Sequence, residues 1–207
     1  MPSVSTHINF ARLVLEKSRI YFDPTYFILG NIAPDSATAN INDVKFRLFH
    51  FMLTESGPDL NFYLEITDPY RQNSHTSERS FIDGYYTHLW LDNFMKSYTD
   101  DIMYISLPNL SVSEAKARFN ANVEYYNLVA IKDFVKDIKD PAERLRIIPG
   151  MEFISYDAIL KLWNKFLTEF ANFKDTITSP VVIAKELYLR FLFKATDEFI
   201  KLFLASH

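Results

Sequence analysis

Ser80-Phe81-Ile82-Asp83-Gly84-Tyr85-Tyr86-Thr87-His88-Leu89-Trp90-Leu91-Asp92-Asn93-Phe94-Met95-Lys96-Ser97-Tyr98 is the stretch on which the fold turns. Phe81, Tyr85, His88, Trp90, Leu91, Phe94 and Met95 recur at helical spacing and put bulky groups around most of the circumference. A helix that is apolar nearly all round lies at the centre of its bundle. Gly84 interrupts it at a cost of about 1 kcal/mol relative to Ala, so it marks a close approach by another helix or a ligand. His88 and Asp92 are four residues apart, on one face and one turn from each other, where both can reach a single ion.

The rest of the composition agrees with a helical protein. Only four glycines occur in 207 residues, against a usual share of about 7%. Tight hairpins and dinucleotide-binding loops use glycine freely, so the composition disfavours a β-barrel, a sandwich or a Rossmann domain and predicts an all-α fold. At about 150 residues per domain the length predicts one domain over residues 1–207. There is no cysteine, which removes disulfides, thiolate zinc sites, iron–sulfur clusters and thiol catalysis. A net charge of −4 argues against nucleic-acid binding through bulk charge. No signal peptide opens the chain and no apolar window is long enough for a transmembrane helix, which predicts a cytoplasmic protein.

Outward from the central helix, the periodicity predicts a first helix over Thr6 to Ser18, capped by Ser5 or Thr6, and a second starting at Asp23-Pro24. Gly30 to Asp35 reads as a helix end and turn, and residues 36–44 as a loop. Lys45 to Leu53 is apolar around His50, Ser56-Gly57-Pro58-Asp59 starts a helix over Leu60 to Ile66, and Asp68 to Thr76 reads as an exposed connection. Helices are expected over Ser111 to Ile138, Phe153 to Phe173 and Pro180 to Leu204, with a capping box at Ser111-Val112-Ser113-Glu114. The breaks fall at Asp140-Pro141 and Ile148-Pro149-Gly150.

Five histidines exist, and His7, His50 and His88 lie in apolar, helix-like surroundings. A buried imidazole needs a partner for each ring nitrogen. A hydrogen-bonded core histidine meets that need as well as a metal ligand does, and the residues alone leave both readings open. His75 reads as an exposed loop residue and His207 as a terminal one without a role. Glu55, Asp59 and Asp83 read as helix caps or solvated acids, and Asp100-Asp101 as a solvated helix end. Tyr26, Tyr85 and Trp90 read as core, with the lining of a cleft as the minority alternative.

Four strings carry a resemblance: Thr6-His7-Ile8-Asn9-Phe10, Gly30-Asn31-Ile32-Ala33-Pro34-Asp35, Phe49-His50-Phe51, and Gly84 to Asp92. In this order they resemble the zinc-dependent phospholipase C family over about residues 1–95. The resemblance implies the all-α fold that those enzymes share with the single-strand nucleases. It divides the chain into a metal-site half, 1–95, and a helical wrapper, 110–207. It implies Asp35, His50, His88 and Asp92 as ligands of one Zn²⁺, and His7 as a ligand of a second that Asp92 bridges. Asp35 would also serve as general base. Another transition metal could occupy such a nitrogen and oxygen site. The implied substrate is a small phosphodiester or a phospholipid. Tyr98 stands where those enzymes carry a further histidine, and no histidine lies between His88 and His207, so a third ion of their type is not expected. Their processed N-terminal Trp, a metal ligand, is also missing, the chain opening Met1-Pro2. A non-catalytic metal-binding protein of the same fold, and a metal-free helical interaction protein, are the alternatives. An HD-type phosphohydrolase is disfavoured because no His is followed by Asp.

Overall fold

The computed structural model describes residues 2–37, 43–53, 57–106, 111–140, 150–174, 181 and 183–205. Among them the protein is all-α, with no strand. The helices are α1 (Val4–Lys17), α2 (Pro24–Ile32), α3 (Val44–Phe49), α4 (Leu60–Arg71), α5 (Thr76–Ser106), α6 (Val112–Ala130), α7 (Phe134–Asp137), α8 (Tyr156–Ala171) and α9 (Lys185–Ala205), with a 3-10 turn at Ala33–Ser36.

Side-chain caps start most of them. Ser3 accepts from the Thr6 N–H, so α1 begins earlier than Ser5 or Thr6 would set it. Asp23 caps α2 ahead of Pro24, whose missing N–H is an unpaired helix-start donor anyway. Asp59 caps α4 through the Phe62 N–H at 3.0 Å. The expected capping box at Ser111 and Glu114 is present.

As expected, α2 ends within Gly30 to Asp35: the helix runs to Ile32 and tightens into the 3-10 turn that carries Asp35. Two expectations of the local reading are corrected. The helix expected over Ser111 to Ile138 is interrupted, α6 ending at Ala130 and α7 starting at Phe134. Asp68 to Thr76 is not one exposed connection, because α4 continues through Pro69 to Arg71. Pro69 costs a backbone bond there, but Thr67 on the same helix is wholly buried and Arg71 reaches Asp83 on α5, so tertiary packing holds the last turn. Of the predicted breaks, residues 141–149 lie outside the described residues.

The position of α5 follows from its glycine. A Cβ built on Gly84 would lie 2.0 Å from the Phe27 carbonyl oxygen, and one built on Gly30 would lie 2.0 Å from that of Phe81. The backbones of α2 and α5 therefore touch, each through the other's glycine. Around this crossing one cluster of buried apolar residues extends from Ile8 to Phe203. The Phe10 and Trp90 rings are stacked with centroids 5.8 Å apart, and Phe199 meets both edge-on, which joins α1, α5 and α9.

One polar network is buried within this core. Asn127 on α6 accepts from Asn9 Nδ2 at 2.8 Å and from the Tyr188 hydroxyl at 2.9 Å, and donates to Thr6 Oγ1 at 2.8 Å. It ties α1 to α6 and α9 on either side of His7 in sequence. Asn127→Leu leaves three polar groups without that partner, and a loss of about 3 kcal/mol is expected. In a chain of this length that is a fall of roughly 6–12 °C in melting temperature. An unchanged Tm would mean that Thr6, Asn9 and Tyr188 find other partners.

Candidate metal centre

All five residues singled out in the sequence come together. His7 stands in the second turn of α1, Asp35 in the 3-10 turn, His50 immediately after α3, and His88 with Asp92 one turn apart on α5. His7, His50 and His88 are wholly buried, while the side chains of Asp92 and Asp35 are 6% and 15% exposed. His50 Nε2 is 3.3 Å from His88 Nε2, 3.7 Å from Asp35 Oδ1 and 3.7 Å from Asp92 Oδ2. His88 Nε2 is 3.4 Å from Asp92 Oδ2.

The other ring nitrogens decide what these contacts are. His88 Nδ1 lies 2.7 Å from the Asn31 carbonyl oxygen, and His50 Nδ1 lies 2.9 Å from that of Phe46. A carbonyl only accepts, so both Nδ1 atoms carry the proton. In neutral imidazole both Nε2 atoms are then bare lone pairs. Two lone-pair nitrogens and two carboxylates thus face one another in the protein interior. Four acceptors cannot satisfy each other; the arrangement calls for positive charge at its centre.

His7 extends the cluster. Its ring is stacked on that of His88, with centroids 3.6 Å apart and planes 11° apart. Its Nε2 is 3.4 Å from Asp92 Oδ1. Among the described residues neither ring nitrogen of His7 has a hydrogen-bond partner, and neither has Asp92 Oδ1. The two oxygens of Asp92 therefore face two places, Oδ2 toward His50 and His88 and Oδ1 toward His7. Burial would raise the pKa of Asp92, but its interactions with His88 and His7 outweigh it and hold the carboxyl well below the usual range. The same contest leaves Asp35 lowered, with His88, His50 and His7 opposing burial. Ligand carboxylates must be ionised, and both side chains are shifted in that direction. His7, His88 and Asp92 offer ligand atoms all within 4.8 Å of one another, and so do Asp35, His50 and His88. The orphaned buried atoms and the acceptor-only donor set both fit a metal ion.

Residues outside the sequence-based set complete the picture. The Asn31 and Phe46 carbonyls orient two imidazoles, and Tyr85 donates its hydroxyl to the Phe49 carbonyl. Burial, with Asp35 nearby, pushes the Tyr85 phenol well above its usual pKa, so it remains a donor. Backbone carbonyls leave no mark in residue type, and only Gly84, as the mark of a close approach, hinted at the Asn31 contact. Asp83 is neither a cap nor solvated: it is buried, with Arg71 Nε 2.5 Å from its Oδ1. Tyr26, Tyr85 and Trp90 are buried core residues. His75 is exposed, and Asp59 is a cap. Glu55 and His207 lie outside the described residues, as do the side chains of Tyr98, Asp100 and Asp101.

Fold and site together define an all-helical protein with a buried His/Asp cluster able to hold a metal ion. Comparison of the chain with protein-family models, with curated proteins and with solved structures finds no match. No helix among the described residues is long and apolar enough to cross a membrane.

Proposed function

We propose that the protein is a metal-dependent hydrolase of phosphodiester bonds, similar to the zinc-dependent phospholipases C. The observation that carries the reading is the convergence of His50 Nε2, His88 Nε2 and the Asp35 and Asp92 carboxylates with no donor among them. Two imidazoles and two carboxylates suit Zn²⁺. Asp35, His50, His88 and Asp92 would hold one ion, and His7 with the second oxygen of Asp92 would contribute to another. When bound, zinc supplies Lewis acidity toward a water nucleophile and a phosphoryl oxygen.

The chain's own residues do the remaining work. The Asn31 and Phe46 carbonyls fix the tautomers of His88 and His50, so that both present a lone pair inward. Asp35 is the more solvent-accessible of the two carboxylates. It would therefore be the one to accept a proton from an incoming water. The complete burial of all three imidazoles favours a second reading, in which the ion is structural and the protein acts without turnover.

Elemental analysis of protein purified without added metal or affinity tag tests the first step. About one to two equivalents of zinc are expected, lost in His88→Ala. A folded, metal-free protein that takes up no added zinc would sink both metal readings. Hydrolysis of bis(p-nitrophenyl) phosphate by the zinc-loaded protein, lost in His88→Ala with the fold retained, supports the hydrolase. Retained zinc without hydrolysis of any phosphodiester in a screen supports the structural ion.

A further inference from the structure

Helix α3 has six residues, Val44–Phe49, too few to hold a helical conformation by themselves in water. Yet it must deliver His50 to within 3.3 Å of His88 and 3.7 Å of both carboxylates. Two side chains fix its end.

The first is Phe51. Its backbone lies in the left-handed region, at φ 51°, which favours glycine and which bulky residues rarely adopt. Its N–H donates to the Leu48 carbonyl at 3.1 Å, and the Met52 N–H reaches back to the Arg47 carbonyl at 2.8 Å. This is the closure that usually carries glycine. Here the position carries a buried ring, edge-on to Tyr63 at 5.0 Å and to Tyr85 at 5.9 Å, with Phe153 also 5.9 Å away. A strained backbone of this kind persists only where its surroundings over-determine it, and such residues cluster at functional sites. Glycine would satisfy the turn; the ring is what anchors it.

The second is Tyr85, one turn before His88 on α5. Its hydroxyl donates to the carbonyl of Phe49, the residue just before His50. That carbonyl belongs to the last turn of α3, where helical donors run out. The helix that supplies two of the ligands therefore also holds the end of the segment that supplies a third.

We propose that Phe51 and Tyr85 are positioning residues of the metal centre: the anchored turn at Phe51 and the phenol on the Phe49 carbonyl together aim His50 Nε2 at His88, Asp35 and Asp92. The proposal rests on the reading of the cluster as a metal site. Neither residue would be a ligand of the ion.

The test is a Co²⁺ titration of the metal-free full chain, following the visible absorption band, beside thermal melting of the metal-free protein. Tyr85→Phe removes one oxygen and keeps the ring. Tyr63→Phe is the control, since it removes the same atom from an equally buried neighbour whose hydroxyl instead donates to the Ile82 carbonyl at 2.8 Å. Tyr85→Phe is expected to weaken Co²⁺ binding about 10- to 100-fold, the range for groups that orient ligands, and to change the band. Tyr63→Phe is expected to keep the wild-type affinity and band. Phe51→Leu, which keeps apolar bulk but loses the ring contacts, is expected to behave as Tyr85→Phe does. Wild-type affinity and spectrum in Tyr85→Phe, or equal losses in Tyr85→Phe and Tyr63→Phe, would overturn the proposal. A lower melting temperature with unchanged Co²⁺ binding in Phe51→Leu would reduce Phe51 to a stability role. If the wild-type protein itself takes up no Co²⁺, the metal reading falls and this one with it; uptake by wild type with unaltered variants removes only the positioning roles.

Discussion

Gly84→Ala is expected to destabilise the protein by about 3 kcal/mol, the upper end for overpacking. In a chain of this length that lowers the melting temperature by roughly 6–12 °C. The added methyl would lie 2.0 Å from the Phe27 carbonyl oxygen and 3.0 Å from the Asn31 nitrogen. Both are backbone atoms of α2 and cannot rotate aside, so the two helices must separate. Propensity alone predicts the opposite sign, since Ala is worth about 1 kcal/mol over Gly inside a helix. The direction of the Tm shift therefore reports whether α2 and α5 touch. Separation would also stretch the 2.7 Å contact between the Asn31 carbonyl and His88 Nδ1, so zinc retention should fall along with stability. A melting temperature at or above wild type would show that the helices have room at Gly84.

Asp92→Asn is expected to cost the metal-free fold little and to lower zinc affinity by more than about 100-fold, beyond the range for groups that merely orient ligands. The side chain keeps its shape. It loses its charge and turns one of two acceptor oxygens into a donor. Those oxygens face different partners, Oδ2 at 3.4 Å from His88 Nε2 and Oδ1 at 3.4 Å from His7 Nε2, so one substitution weakens both candidate positions. His7→Ala would remove only the second. In the metal-free variant the new amide can donate to an imidazole lone pair that otherwise faces acceptors, which offsets the lost charge. Competition against a chelator measures the affinity and thermal melting the fold. Equal chelator resistance in Asp92→Asn and wild type would remove Asp92 from the ligand set.

Particular residues show how far local reading reaches. Gly84 announced a close approach because its cost inside an otherwise strong helix needs a reason, and the reason is the backbone of α2. Gly30 belongs to the same crossing, but at the end of a short apolar run it looks like a helix end. Pro69 reads as a breaker because its lost N–H is local, whereas the packing that retains it in α4 comes from α5. Asp83 reads as a surface acid because Arg71 lies twelve residues before it, on another helix. Phe51 gave no sign of its left-handed backbone, because phenylalanine is not a residue that ordinarily takes that conformation.

Composition and periodicity by themselves determined the all-α class and the central place of α5, since glycine poverty and a helix apolar all round are properties a chain carries without its neighbours. They also supplied the histidines and acids and the one-turn spacing of His88 and Asp92. Only the tertiary structure decided that His7, Asp35 and His50, from three other segments, meet that pair with their acceptors turned inward. Helical spacing acts over a few residues. Convergence across the chain depends on how closely α2 and α5 can approach and on where α3 is made to stop, and both are set by contacts between distant segments.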